Sequence, residues 1–231
     1  MVKTSDREAM ASQLVFDLGH RPALERDDFL VSECNQEAVK WIDSWPKWPS
    51  SLLIMVGNSG SGKSHLAGVW QAKSGASVLR SDDLMDLEDP WSLFTPIAAC
   101  VVEYNPLQFN AEALLHIINT ANEINAYLLM TADKPPSKWP IELPDLRSRV
   151  RTAPVAFLND PDEKLLAAVM VKLFSDRQLK VEPEVISYII PRIERTFEAA
   201  LKLVSELDRA ALSERRAITV PLTKKIMHRY S

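Results

Sequence analysis

Glycine is scarce in this chain. Its 231 residues include only 6, where average usage near 7% gives roughly 16. Three of the six, Gly57, Gly60 and Gly62, fall within six positions, and none occurs after Gly75. Such a distribution places permissive backbone in one loop and withholds it elsewhere. Long apolar runs are missing too. Ser51–Gly57 (SLLIMVG) and Ala98–Val102 fall well short of the roughly 18 residues a membrane span needs. The opening MVKTSDREAMASQ lacks the apolar core of a secretory signal. Cysteine is limited to Cys34 and Cys100, too few for a disulfide framework, and both lie in apolar surroundings. A reducing, cytoplasmic protein with buried thiols and no membrane association is therefore expected. Positive charge is not in excess: 27 Lys and Arg against 31 Asp and Glu give a net charge of -4. That argues against strong direct DNA binding by the chain as a whole. The four histidines have no metal-ligand spacing, and no serine is marked by a neighbouring base as a nucleophile.

What is present is a globular composition, 46% hydrophobic and 25% charged. Residues 1–25 are polar and then mixed, without a sustained period, and are expected to form a mobile arm. Asn35–Ile42 carries helical spacing behind an Asn cap. Short apolar runs at Ser51–Val56, Ala76–Leu79, Ile97–Glu103, Ala126–Thr131 and Pro154–Leu158 read as buried strands. Helices are expected between them at Lys63–Gln71 and Ala111–Glu123, the latter with Leu114, Leu115, Ile117 and Ile118 as its apolar stripe. Strands alternating with helices predict an α/β fold with a parallel sheet over residues 26–160. Beyond that the period changes. Pro161–Phe174, Pro183–Ile190, Glu194–Leu212 and Pro221–Arg229 read as helices, which predicts a small all-helical domain over 161–231. The tryptophans at 41, 45 and 48 are expected to anchor the segment leading into the first strand.

Gly57-Asn58-Ser59-Gly60-Ser61-Gly62-Lys63-Ser64 matches G-x-x-x-x-G-K-[ST] in full, directly after an apolar strand and opening a helix. Glycines let backbone N–H groups turn inward around phosphates, and the helix N-terminus adds a favourable dipole. Lys63 would reach the β and γ phosphates, the Ser64 hydroxyl would ligate Mg²⁺, and His65 follows in the same binding segment. The cofactor expected is ADP or ATP with Mg²⁺. A P-loop ATPase also needs an apolar strand ending in acidic residues that hold the metal and orient water. Ala99-Cys-Val-Val-Glu103-Tyr104 supplies the first, Glu103, as a further Mg²⁺ ligand. The second is replaced by Tyr104, which cannot act as a carboxylate at neutral pH. The site is therefore expected to hold a nucleotide better than it hydrolyses one.

Three further stretches follow in order. Leu128-Leu-Met-Thr131-Ala-Asp133-Lys-Pro-Pro136 resembles the sensor-1 strand and proline turn of AAA+ proteins of the replication-initiator DnaA group. Leu146-Arg147-Ser148-Arg149 resembles their arginine-finger segment, with Arg149 in the finger position, and Arg195 resembles the sensor-2 arginine that opens a lid helix. The resemblance covers about residues 26–231 and implies an AAA+ core followed by a helical lid. It implies that Arg149 acts in trans on a neighbour's γ-phosphoryl group and that Arg195 reaches its own nucleotide. Read as residues alone, Arg149 is one of three alternating arginines, and Arg195 has Glu194 and Glu198 for company. Asp133 suits either a place near the γ-phosphate or a cap on the turn before Pro135.

Gln13-Leu14-Val15-Phe16-Asp17-Leu18 resembles the peptide by which replication proteins dock on the DNA polymerase sliding clamp, with Gln13, Leu14, Phe16 and Leu18 as the contacts. Arm and core together are similar to the Hda-type regulatory inactivators of DnaA, in particular their α-proteobacterial members. That resemblance implies a clamp-docked, ADP-carrying negative regulator of replication initiation whose partners are the clamp and DnaA. It implies an activator of DnaA's ATPase more than an efficient ATPase, and leaves a homo-oligomer possible. Two other readings stay open: a helicase-loader-like or DNA-binding AAA+ ATPase, and a P-loop small-molecule kinase.

Overall fold

A computed structural model of the chain describes residues 30–80, 89–94 and 98–228. Its centre is a five-stranded parallel sheet in the order β2-β3-β4-β1-β5. The strands are β1 (Leu52–Gly57), β2 (Ser77–Arg80), β3 (Ala99–Glu103), β4 (Tyr127–Ala132) and β5 (Val155–Leu158). β1 lies between β4 and β5, with Ile54 opposite both Met130 and Val155, and its six residues are all buried. A strand covered on both faces has no polar side to alternate with, hence the uninterrupted LLIMV run.

Successive residues of β1 feed opposite faces. Ile54 and Val56 join one cluster with Leu114, Ile117 and Ile118 of α3 (Ala111–Glu123) and with Leu146 and Val150 of α4 (Pro144–Thr152). Leu53 and Met55 join another with Ala38, Val39 and Ile42 of α1 (Gln36–Ser44) and Leu66, Val69 and Trp70 of α2 (Lys63–Ser74). Trp48 stacks on Trp70 at 5.3 Å, and Trp45 meets the same ring edge-on at 6.1 Å. A third cluster belongs to the helices that follow β5: α5 (Glu163–Asp176), α6 (Pro183–Ile189), α7 (Phe197–Glu214) and α8 (Val220–Met227). Side-chain caps set several starts. Asn110 accepts from Glu112 N and Ala113 N, Asp162 from Leu165 N, and Thr196 from Ala199 N.

Several expectations need correcting. β2 is an edge strand with only Leu79 buried, so its run is not a fully buried one. Asn35 does not cap α1. Its amide turns back instead, accepting from Ser32 N and donating to the Leu30 carbonyl. Cys34 is half-buried beside the Ser32 hydroxyl, while Cys100 is fully buried. Burial pushes the Cys100 thiol up to about 11 despite the hydrogen bond from Ser77, which leaves it inert. α7 begins at Phe197 and not at Glu194, because Thr196 supplies the cap. Within the helical domain Ile218 makes an isolated parallel bridge to Val181. No described helix is long and apolar enough to cross a membrane.

Candidate functional site

The carboxyl ends of β1, β3 and β4 open onto one cleft of about 730 Å³, where open parallel sheets place their ligands. Its walls include Ser59, Gly60, Gly62, Lys63, Ser64 and His65 from the glycine loop, and Glu103 and Tyr104 from the end of β3. Thr131 to Asp133 close the β4 side. The opposite wall is helical, with Val169, Leu173, Phe197 and Leu201 as its apolar part. Sequence reasoning missed these four. They read as ordinary helix-stripe residues, and nothing local marks which way a stripe faces.

The loop is built for close approach of backbone. A Cβ at Gly57 would lie 2.5 Å from Ser61 Oγ and 2.6 Å from the Leu158 carbonyl. Gly62 sits at φ 98° as the N-cap of α2 and offers no side chain to its first turn, so the N–H groups there remain open to an anion. Lys63 is folded into the loop. Its Nζ donates to the Gly57 carbonyl at 2.7 Å, the Asn58 carbonyl at 2.8 Å and Asp133 Oδ1 at 2.8 Å. Asp133 thus faces the loop lysine from the end of β4. Asn58 points away from the cleft and donates to both carboxylate oxygens of Asp160, while Ser61 is buried beneath the loop.

Glu103 lies on the cleft wall opposite Thr131 in register. Its neighbour Tyr104 belongs to the hydrophobic cluster. Its ring stacks on Trp139 at 3.9 Å and 20° and meets Phe109 edge-on at 5.0 Å. Burial pushes the phenol up to about 12, so it stays protonated and supplies no base. Tyr104 Oη is buried without a hydrogen-bond partner among the described residues, an arrangement that costs stability. Tyr104→Phe is therefore expected to leave the thermal midpoint unchanged or raise it by about 2–4 °C. A clear drop in a calorimetric melt would show that the hydroxyl has a partner.

The two distal arginines lie outside the cleft. Arg195 does not line it; its Nη2 pairs with Glu163 Oε1, and both side chains are more than half exposed. Glu163 is 32 residues away in sequence, which is why the nearer Glu194 and Glu198 suggest themselves from the chain alone. On α4 the arginines divide. Arg147 donates through Nε and Nη2 to the Ile141 carbonyl. Arg149 is exposed in the last turn; its carbonyl accepts from Thr152 Oγ1, while its guanidinium makes no hydrogen bond or ion pair among the described residues. Gln13, Leu14, Phe16 and Leu18 lie outside the described residues, as does the rest of the expected arm. Among the described residues no group of three or more His, Cys, Asp or Glu is placed to hold a metal by itself.

Residues 162–227 match the family model described as "Hda, lid domain". The match spans the four helices α5–α8 and stops short of the sheet. Domain III of the replication initiation protein DnaA from Thermotoga maritima superposes with a TM-score of 0.75 at 17% identity, over 88% of this chain and 95% of that one. AMPPCP-bound DnaA from Aquifex aeolicus gives 0.66 at 18%, over 84% and 70%. A variant of RuvB from the same Thermotoga gives 0.69 at 16%, over 89% and 71%. At such identities these likenesses concern the fold. An uncharacterised protein of Haemophilus influenzae is 29% identical over 133 residues, 56% of this chain and 58% of that relative's length. The matched segment begins where the sheet has ended, and its helices α5 and α7 provide the apolar wall of the cleft.

Proposed function

We propose that this chain is a nucleotide-carrying negative regulator of replication initiation, docked on the sliding clamp through residues 13–18 and lending Arg149 to the ATP site of DnaA. The observation that carries this reading is the contrast within α4. Arg147 is committed to the Ile141 carbonyl, whereas Arg149 is exposed, lies outside its own cleft and has a guanidinium without a bond among the described residues. A guanidinium fork presented in this way suits phosphate oxygens on another molecule.

In this reading residues 161–231 form a lid over a nucleotide-binding body at 26–160, and the cleft fits ADP or ATP with Mg²⁺. The glycine cradle excludes side chains where phosphates would lie, and the mostly buried Lys63 brings a positive charge to it. Lys63 would exchange its carbonyl partners for phosphate oxygens. Ser64 and Glu103 would hold the cation, which takes its other ligands from phosphate and water. Arg195 would leave Glu163, an exposed pair of a kind typically worth about 1 kcal/mol or less. The bound nucleotide supplies a polyanion that these groups converge on. The chain's own turnover is not required, and Tyr104 supports that by offering no carboxylate.

The clamp contact is tested by the double substitution Gln13→Ala, Leu14→Ala. It is expected to abolish binding to the isolated clamp in surface plasmon resonance while nucleotide binding is retained. Unchanged clamp affinity would remove that role from the peptide.

A further inference from the structure

The lid and the glycine loop meet at Thr196 and Phe197, and the contact is closer than the roles above require. The Phe197 backbone N–H, first in α7, donates to the Gly60 carbonyl at 2.9 Å. A Cβ at Gly60, whose φ is +72°, would stand 2.8 Å from Thr196 Cβ. A Cβ at Gly62 would stand 3.2 Å from two carbons of the Phe197 ring. The ring therefore lies flush against the backbone that opens α2. It also lines the cleft and packs against the core of the helical domain, near Ala200 and its neighbours. A single aromatic side chain thus reaches three surfaces: the phosphate loop, the cleft and the lid core. A second tie, from Asn58 to Asp160, fastens the same loop to the connection between β5 and α5.

We propose that Phe197 is a positioning residue that sets how long a nucleotide stays in the cleft, by latching α7 onto the loop that holds the phosphates. Aromatic rings bring a large contact area with only two side-chain torsions to order. A ring seated on Gly62 accordingly holds the lid against the loop at small entropic cost. Release of a nucleotide held beneath the lid then needs Phe197 to leave Gly62 and the Gly60 carbonyl to give up its donor. The latch therefore acts on the dissociation rate far more than on association, as contacts that tune related complexes commonly do. It fits a chain that retains its nucleotide and does not turn it over. The inference rests on the nucleotide-binding reading given above.

The test is stopped-flow displacement of a fluorescent ADP analogue, mant-ADP, from the full-length chain. Phe197→Ala is expected to release the probe about tenfold faster, with association changed less than about twofold. Phe197→Leu fills the lid core but loses the ring over Gly62, and should fall between the two. If Phe197→Ala unfolds the lid, as judged by far-ultraviolet dichroism, the leucine variant decides alone. Wild-type release rates in a folded variant would overturn the latch and leave the nucleotide site standing. A slowed association with unaltered release would also overturn it. A wild-type chain that fails to bind mant-ADP at millimolar concentration would overturn the nucleotide site and the latch together.

Discussion

Under the proposed role, Arg149→Ala is expected to lower the chain's stimulation of ATP hydrolysis by DnaA on clamp-loaded DNA by about 10³-fold or more, the loss that follows removal of an arginine finger supplied in trans. The magnitude follows from where the charge acts. In water the side chain of an exposed arginine contributes little. Inserted into a neighbour's site it meets charge developing on the transferring phosphoryl oxygens, in a place from which water has been excluded. Arg149→Lys should recover only a small part, since an ammonium is a point charge without the planar fork. Because Arg149 is exposed and its guanidinium makes no hydrogen bond or ion pair among the described residues, the alanine variant should keep wild-type stability and its own nucleotide. Arg147→Ala gives the opposite pattern, a less stable fold through loss of its bonds to Ile141. The check is single-turnover phosphate release from DnaA-ATP. A rate within threefold of wild type would end the trans-arginine reading, and a kinase or helicase-loader activity would then need examination.

Lys63→Ala has the second large effect, an expected loss of about 100-fold in affinity for ADP measured by calorimetry. Lys63 makes three hydrogen bonds in the described structure, two to loop carbonyls and one to Asp133, and its side chain is only 12% exposed. Those partners hold the ammonium at the mouth of the cradle until phosphate oxygens replace them, and charge-assisted bonds of this kind are each worth about 1.5–3 kcal/mol. The alanine variant also leaves Asp133 without its cation, so an anion would meet an unbalanced carboxylate. Retention of wild-type affinity would mean that phosphates bind somewhere other than the glycine loop. The two substitutions separate the functions. One removes what the chain offers to another molecule, the other what it keeps for itself.

Much of this was legible from the residues because the signals were local. Asn110 and the stripe after it set the limits of α3, which runs over Ala111–Glu123 as expected. The loop motif located its strand and helix. Failures came where distant parts of the chain decide. Nothing in Ala76–Leu79 tells that this strand ends up at a sheet edge, since edge and centre differ only in what lies alongside. α4 escaped notice because PDLRSRVRT buries only Leu146 and Val150, one seam of two residues four apart, too short a pattern to register as a period. Pro144 at its first position was the available clue. The partition of Arg147 from Arg149 and the pairing of Arg195 with Glu163 depend on carbonyls and carboxylates that no spacing rule brings together.

The packing of Tyr104 against Trp139 and Phe109 limits what position 104 can accept. A carboxylate introduced at 104 by a single change would not simply create a hydrolytic site. It would be set among aromatic rings where the tyrosine is only 6% exposed, a burial that drives an acid to its neutral form or unfolds its surroundings. Both rings would have to be replaced together with it.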